Sequence, residues 1–176
     1  MKEVRIAISG KSGCGNTTVS RMLAERLGVR VINYTFRNMA EEQGVSFQAM
    51  CRMAEEDESW DRVLDRRQAE LAREGSCVLG SRLAIWVLPE ADLSVYLTAS
   101  TAVRAARIHT REGGSLEQVQ AETEARDARD RERYQRIYGL DNDDWSFADL
   151  IIDTETAGPE QIVESIVQQL NQRNLL

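Results

Sequence analysis

A glycine-rich segment near the start of the chain carries the residue types that bind phosphate. Gly10, Gly13 and Gly15 follow a short β-rich run and precede a helical pattern. Glycines at these spacings let the backbone curl so that its N–H groups converge on one anion. The helix that follows adds the positive end of its dipole. The segment therefore predicts a phosphate-binding loop, with the Thr17 hydroxyl placed to bind Mg²⁺.

The loop departs from the common phosphate-loop pattern at one position. The predicted phosphate-binding residues are Gly10, Ser12, Gly13, Cys14, Gly15, Asn16, Thr17 and Thr18. Asn16 stands where such loops usually have lysine, and its amide can donate a hydrogen bond to phosphate but brings no charge. Lys11 is the candidate for supplying that charge, and a solvated lysine is the alternative. Cys14 is interpreted as a small space-filling residue rather than a redox group.

Arginines recur at the ends of predicted elements and on two helix faces. Arginine suits phosphate because its guanidinium is planar, permanently charged and bidentate. The arginines that the pattern singles out are Arg37, Arg82, Arg104, Arg107, Arg111, Arg126, Arg129 and Arg133. Many acids lie close to them in sequence, so surface ion pairs are the alternative for any single member. The whole set beside a phosphate loop indicates binding of more than one phosphate group.

The elements that must position these residues alternate between strands and helices. The predicted strands are Val4–Ser9, Val29–Asn33, Ser76–Leu79, Asp92–Leu97 and Leu150–Asp153. Helices are predicted from Thr17 to Leu27, from Ser100 to Glu112, from Ser115 with a capping box at Gln118 to Tyr138, and after Pro159. This alternation predicts an α/β fold with a five-stranded parallel sheet covered on both faces.

Two helical segments stand apart from the alternating pattern. Residues 34–75 contain two or three helices between the second and third strands, with a break at Gly44. Residues 104–133 form two arginine-bearing helices joined by Gly113 and Gly114. Ligands gather at the carboxyl ends of parallel strands, so we expect the first segment to cap a ligand there and the second to act as a short lid. Residues 1–176 are predicted to form a single domain.

Composition narrows the class of protein. The chain has 176 residues, 42% of them hydrophobic, and a formal net charge of −7, which disfavours a general binder of nucleic acid or membranes. Its apolar runs are too short to span a bilayer, and the three cysteines lack metal-ligand spacing. We expect a cytoplasmic, monomeric protein whose partners are small-molecule nucleotides.

The ordered set of motifs resembles the short, archaeal-type cytidylate kinases of the P-loop nucleoside monophosphate kinase family. The matching stretches span nearly the whole chain: Ile8–Thr18, Phe36–Ala40, Leu64–Gln68, Arg82–Trp86, Ala91–Leu93, Arg133–Asp141 and Asp149–Thr154. The resemblance implies a P-loop NTPase three-layer sandwich with a helical NMP-binding insertion and a short lid. It also implies transfer of the ATP γ-phosphoryl group to CMP or dCMP with Mg²⁺.

The resemblance also assigns roles to residues. It implies that Arg37 and Arg82 hold the acceptor phosphate, that Arg107 and Arg111 contact phosphates from the lid, and that Arg126, Asp130 and Arg133 contact the CMP sugar and phosphates. Asp65 and Arg66 fall in the acceptor-binding insertion without an assigned role. Lys11 joins Arg82, Arg107, Arg111, Arg126 and Arg133 as a candidate catalytic residue.

One departure from that family and two alternatives remain open at this stage. The family usually has an acid at the position of Gly80, which would steady Mg²⁺ through water and which glycine cannot replace. The acceptor could instead be UMP, another nucleotide or a small metabolite. The chain could also be a nucleotide-binding sensor with little turnover, although a sensor has no need of cations on both the acceptor side and the lid side.

Overall fold

A computed structural model describes residues 3–176 and shows thirteen elements in this part of the chain. The strands are β1 (Arg5–Gly10), β2 (Arg30–Ile32), β3 (Cys77–Gly80), β4 (Leu93–Thr98) and β5 (Leu150–Asp153). The helices are α1 (Asn16–Leu27), α2 (Phe36–Gln43), α3 (Phe47–Glu56), α4 (Ser59–Arg73), α5 (Ala84–Val87), α6 (Thr101–Glu112), α7 (Leu116–Tyr138) and α8 (Pro159–Gln172).

The five strands form one parallel sheet in the order β2-β3-β1-β4-β5. This confirms the predicted α/β fold. Because β1 lies at the centre, its carboxyl end is flanked by the carboxyl ends of β3 and β4. The phosphate-binding loop that follows β1 therefore begins in the middle of that edge of the sheet.

The two faces of the sheet bury different helices. Ile6 and Ile8 point to the face that packs against α1 and α8, where Leu23 and Ile166 are fully buried. Ala7, between them in the strand, points to the other face, with Ile85 of α5. The alternation of side chains along a strand thus gives β1 two buried faces and the protein its three layers.

The helices between β2 and β3 have a small core of their own. Met39 and Met50 are buried there, and the partly buried Trp60 and Leu64 pack against them. Gly44 ends α2 in the left-handed conformation with φ of 66°, as the sequence predicted for a break at this position. The segment is joined to the sheet through α4, whose Ala72 is fully buried against β2 and β3.

Helix boundaries confirm most of the sequence signals and correct two. The Ser100 hydroxyl accepts a hydrogen bond from the Val103 backbone and begins α6, and Pro159 occupies the first turn of α8. Ser115 does precede α7, but its side chain makes no capping hydrogen bond, so the predicted capping box with Gln118 is wrong. The short helix α5 was not predicted, because four residues are too few to show a helical period.

No helix in residues 3–176 is long and apolar enough to cross a membrane.

Candidate active site

A cleft of about 790 Å³ opens at the carboxyl ends of β1 and β3. One wall is the glycine-rich loop and the start of α1. The opposite wall comes from the helices between β2 and β3, from the segment after β3, and from α6 and α7. The cleft therefore brings together residues that lie more than a hundred positions apart in the sequence.

The glycines of the loop are needed for its shape. Gly13 has φ of 83° and Gly15 has φ of 93°, a region that other residues rarely adopt. A Cβ at Gly13 would also lie 2.8 Å from the Arg104 carbonyl oxygen, so α6 packs directly on the loop backbone. Gly15 is the N-cap of α1 and carries no side chain that could cap the helix, which leaves the first-turn N–H groups to face the cleft.

The side chain of Asn16 does not reach toward a phosphate. Its Nδ2 donates to the carbonyl oxygens of Ile8, at 2.8 Å, and Ser81, at 3.2 Å. Its Oδ1 accepts a hydrogen bond from Ser20 at 2.9 Å. The expectation that this amide donates to phosphate is therefore corrected: the side chain ties the start of α1 to the ends of β1 and β3, and only the Asn16 backbone remains for an anion.

Gly80 is required by the same contact. A Cβ built at Gly80 would lie 2.4 Å from the Ser20 Oγ, 2.8 Å from the Ser20 Cβ and 2.9 Å from the Asn16 Oδ1. No side chain, and certainly no carboxylate, fits in that space. The acid that is usual in the resembling family is thus excluded here by packing, and Asn16, Ser20 and Gly80 form one interlocked group, which we call the Asn16–Ser20–Gly80 contact.

Ser81 is a site residue that the sequence analysis missed. It follows Gly80 and lines the cleft, and its Oγ is buried without a hydrogen-bond partner among the described residues. Thr17, which was predicted to bind the metal, lies exposed on the first turn of α1 and lines the same cleft. Thr17 on α1 and Ser81 after β3 therefore each place a hydroxyl group at the cleft, and a buried hydroxyl without a partner is costly unless a ligand or water satisfies it.

Lys11 lies in the cleft and has a carboxylate partner. Its Nζ is 2.6 Å from Asp143 Oδ1, and Arg131 of α7 contacts both Asp143 and Asp141. The lysine was predicted either to reach phosphate or to be solvated. The structure shows a third situation, in which an acidic loop before β5 holds Lys11 beside the glycine-rich loop.

Cys14 is the one predicted loop residue that does not line the cleft. It is buried in the core beneath the loop, and a Cβ at Gly10 would lie 2.3 Å from its Sγ. Burial raises the pKa of the thiol above its ordinary value, against the opposing effect of a backbone hydrogen bond from Asn16 and the charge of Arg104. The side chain fits the space-filling role that the sequence analysis gave it.

Arg82 and Asp130 form an ion pair on the wall opposite the glycine-rich loop. Arg82 Nη1 donates to Asp130 Oδ2 at 2.8 Å, which joins the segment after β3 to α7. Both residues line the cleft and are partly exposed to it. Burial raises the pKa of Asp130, and the positive charge of Arg82 opposes that rise. A guanidinium fixed in this way is preorganised to receive an anion.

Arg133 also lines the cleft but is held by a buried acid. Its Nε donates to Asp61 Oδ1 at 3.1 Å and its Nη2 to Asp61 Oδ2, and Nη2 also donates to the Ala54 carbonyl at 3.3 Å. The Asp61 side chain is only 9% exposed. Asp61 was not predicted. Its bidentate pair with Arg133 fastens α7 to the helices between β2 and β3.

The arginines of α6 have different partners although they share one face. Arg104 is buried and binds Asp127 through both Nη atoms and the Ser12 carbonyl at 3.2 Å, so it braces the loop from behind. Arg107 lines the cleft and donates to the Gly13 carbonyl, at 3.2 Å, and to Thr154. Arg111 lies exposed at the cleft with Glu112 as its only partner among the described side chains.

Five of the predicted arginines do not line the cleft: the buried Arg104 described above, Arg129, which pairs with Glu122 on the surface of α7, and the three that follow. Arg37 lies exposed over the Phe47 ring, with its guanidinium carbon 4.5 Å from the ring centroid. Arg66 is exposed on α4, facing away from the cleft-lining residues Asp65 and Gln68. Arg126 donates to the Ser12 Oγ at 3.3 Å from behind the loop. In each case the helix turns the side chain away from the cleft, an orientation that spacing alone did not fix.

Asp65 and Gln68 lie one turn apart on α4 and both face the cleft. Asp65 accepts a hydrogen bond from the Tyr138 hydroxyl, and burial, reinforced by the nearby Asp61, raises the Asp65 pKa to about 6. Gln68 ends the matching stretch Leu64–Gln68 but had no predicted role. It is 4% exposed, and its Nε2 donates to the Tyr34 carbonyl at 2.8 Å. An apolar residue would be usual at so buried a position; here the bond to Tyr34 satisfies the amide nitrogen, and the amide oxygen is left without a partner.

Comparison with known proteins places this site in context. The model of the cytidylate kinase-like family matches residues 5–156 of the chain. "Cytidylate kinase 2" of Borreliella burgdorferi is 46% identical over 176 residues, which cover 98% of each chain. "Cytidylate kinase" of Pyrococcus horikoshii is 40% identical and covers 94% of this chain and 89% of its own length.

The solved structures support the architecture. Shikimate kinase from Bacteroides thetaiotaomicron superposes with a TM-score of 0.64, covering 99% of this chain and 100% of that one, at 18% identity. At that identity the similarity concerns the fold alone, and it confirms the predicted α/β fold of P-loop kinases.

Proposed function

Because the chain belongs to the cytidylate kinase-like family, we propose that it transfers the γ-phosphoryl group of ATP to CMP or dCMP. The observation that carries this proposal is the single cleft that joins the glycine-rich loop to Arg82, Asp130 and Arg133. A donor site and an acceptor site that share one cavity allow direct transfer between two bound phosphates.

The loop wall supplies the donor site in this proposal. The first-turn N–H groups of α1 have no intrahelical partners, and together with the helix dipole they attract the ATP phosphates. Lys11 adds a positive charge beside them, held by Asp143 until phosphate competes for it. Asn16 contributes its backbone, since its side chain is occupied by Ile8 and Ser81.

Mg²⁺ fits the hydroxyl groups of Thr17 and Ser81. The ion usually keeps several waters and needs few protein ligands when phosphates bind it. Thr17 would hold it, and the unpartnered Ser81 hydroxyl would bind one of its waters, in place of the acid that the Asn16–Ser20–Gly80 contact excludes. When bound, the ion neutralises charge on the transferred phosphoryl group.

The facing wall supplies the acceptor site. The carboxylate of Asp130 presets the guanidinium of Arg82, which binds the monophosphate of CMP. The acceptor oxygen attacks the γ-phosphorus of ATP, the bond to the bridging oxygen breaks, and ADP leaves. Arg107 and Arg111 gather the negative charge that spreads over the phosphoryl oxygens during transfer.

We further infer that residues 34–75 form the acceptor-binding insertion and residues 104–133 the lid. Helices α2 and α3 pack on α4 through the small core, and α4 is held to the sheet by Ala72, so we expect α2 and α3 to be the part that moves. The Arg133–Asp61 pair links the two segments across the cleft, so that they would close together over bound nucleotides. Closure would bring Arg37 and Arg126 nearer to the phosphates than they lie in this structure.

The test is an ADP-release assay with Mg²⁺ and ATP against CMP, dCMP, UMP, AMP and GMP. We expect turnover of CMP or dCMP well above that of the other three. Turnover confined to another nucleotide would change the proposed acceptor, while the proposed phosphotransferase activity would stand. Measurable ATP binding without turnover of any acceptor would contradict the proposal and favour a nucleotide-binding sensor.

A further inference from the structure

The Gln68 side chain presents an unsatisfied hydrogen-bond acceptor in the acceptor wall of the cleft. The residue is 4% exposed, it lines the cleft from α4, and its Oε1 is buried without a hydrogen-bond partner among residues 3–176. A buried amide oxygen without a partner destabilises a protein by about 1–3 kcal/mol unless a ligand or an ordered water satisfies it. Such an atom in a ligand cleft indicates a hydrogen bond that forms with the ligand.

The orientation of this amide is fixed by the backbone. Gln68 Nε2 donates to the Tyr34 carbonyl oxygen at 2.8 Å. A carbonyl oxygen can only accept, so the nitrogen must face Tyr34 and the oxygen must face away from it. Turning the amide over would place two acceptors against each other inside the protein. Gln68 therefore offers an acceptor to the ligand in a fixed way.

The two acids on this face of α4 each have a partner within the protein. Asp61 binds Arg133 through both carboxylate oxygens, and Asp65 accepts the Tyr138 hydroxyl through Oδ2. The apolar side chains of Phe36 and Leu64 line the cleft from the same group of helices. A flat, largely apolar ligand group with one N–H donor at its edge suits this wall.

We propose that Gln68 selects the base of the acceptor nucleotide by accepting a hydrogen bond from an exocyclic amine. Cytosine carries that amine at C4, where uracil carries a carbonyl oxygen, so the fixed Oε1 attracts the first base and repels the second. The inference rests on the proposed function, because it assigns the base specificity of that acceptor site.

The test compares substrates and variants in one cycle. The substrates are CMP, UMP and the 5′-monophosphate of the pyrimidin-2-one ribonucleoside, which lacks only the exocyclic amine. The variants are Gln68→Met, which keeps the size of the side chain, and Gln68→Leu; both remove the acceptor together with the bond to the Tyr34 carbonyl. The control is Gln48→Met, an exposed glutamine of α3 outside the cleft lining.

For the wild-type protein we expect kcat/KM for the amine-free nucleotide to be about 10- to 100-fold lower than for CMP. In Gln68→Met and Gln68→Leu, kcat/KM for CMP should fall to that for the amine-free nucleotide, so that the values for these two substrates differ by less than about twofold. The ratio of kcat/KM for UMP to that for CMP should rise in both variants. The KM for ATP should stay unchanged throughout, and Gln48→Met should behave as wild type.

The outcomes separate the two proposals. Wild-type protein that turns over CMP and the amine-free nucleotide equally overturns the role of Gln68 while the cytidylate kinase activity stands. The same holds if a folded Gln68→Met variant, judged by its thermal transition and its KM for ATP, keeps the full preference for CMP. Wild-type protein that turns over no pyrimidine nucleotide overturns the proposed function itself. The wild-type substrate comparison is decisive even if both Gln68 variants fail to fold.

Discussion

The two walls of the cleft present different chemical groups to a ligand. The loop wall consists of backbone groups, with two glycines in the left-handed region and an asparagine whose side chain only binds other parts of the protein. The acceptor wall consists of charged side chains held by acids, as in the Arg82–Asp130 and Arg133–Asp61 pairs. One wall offers main-chain N–H groups and the other offers guanidinium groups.

This difference explains why the loop functions in this proposal without its usual lysine. A backbone N–H group is lost only on substitution by proline, so the loop wall is sensitive to shape and tolerant of other changes in side-chain chemistry. The acceptor wall is sensitive to chemistry, because each guanidinium and each carboxylate is a single side chain. Substitutions of the acceptor-wall side chains should therefore reduce catalysis, whereas substitutions of the loop glycines should reduce stability.

The largest effect should follow from Arg82→Ala. We expect kcat/KM for CMP to fall about 100- to 1,000-fold, with a higher KM for CMP and a lower kcat, because the guanidinium that holds the acceptor phosphate is lost. The KM for ATP should change less than about twofold. Steady-state kinetics measures both, and Arg129→Ala, an exposed arginine paired with Glu122 on α7, is the control. Unchanged kinetics for CMP would remove Arg82 from the site.

The loop wall can be tested with two glycines that share a backbone conformation. Gly15→Ala should lower the free energy of unfolding by about 1–2 kcal/mol, because φ is positive and no atom of the described residues lies within 4 Å of the added Cβ. Gly13→Ala should lower it by about 2–4 kcal/mol, because the added Cβ also meets the Arg104 carbonyl at 2.8 Å. Urea unfolding measures both, and equal losses would show that α6 does not press on the loop.

The buried acid of the acceptor wall predicts a dependence of stability on pH. Burial raises the pKa of Asp65 from 3.8 to about 6. The contribution of the protonated Asp65 to the free energy of unfolding is fully present below pH 3.8 and is lost as pH rises through 6. The reason is that the Asp65 carboxyl is harder to ionise in the folded protein than in the unfolded chain. Asp65→Asn keeps an acceptor for Tyr138 and removes the ionisation.

Urea unfolding at pH 5 and pH 8 checks this prediction. The wild-type protein should lose about 1–2 kcal/mol more stability than Asp65→Asn between the two pH values. An equal loss in both proteins would mean that Asp65 titrates as it does in the unfolded chain.

The smallest effect should come from the charged side chain of the loop wall. Lys11→Met should raise the KM for ATP less than about tenfold, because the backbone N–H groups carry most of the phosphate binding and the lysine is partly solvated. Asp143→Asn, which releases Lys11 from its partner, should lower the KM for ATP slightly. A rise of a hundredfold or more in the KM for ATP of Lys11→Met would show that Lys11 replaces the lysine that is missing at position 16. It would also show that phosphate binding by the loop wall depends on a side chain.

The sequence determined the sheet and most helix boundaries because their signals are local. The apolar runs, Gly28, Gly44, Ser100 and Pro159 each act within one or two turns of the chain, and each is found where the pattern predicted. The capping box at Ser115 failed because a hydroxyl at the right spacing need not adopt the capping orientation.

The site could be predicted only in part, because it depends on which way each side chain turns. The arginine pattern identified Arg82 and Arg133, and the family resemblance added Asp130; all three line the cleft. Their partners across the cleft, and the orphaned oxygens of Gln68 and Ser81, arise from contacts between distant segments. Arg37 and Arg66 illustrate the converse, since their types suited phosphate while their helices turn them outward.

The Asn16–Ser20–Gly80 contact also restricts how this sequence can evolve. A mutation that adds any side chain at position 80 collides with Ser20 and Asn16 unless those residues have already changed. A change at Asn16 removes two bonds to the backbone before a replacement for them exists. Each single step away from the trio is therefore unfavourable, and descendants of this protein should either retain all three residues or have replaced them together.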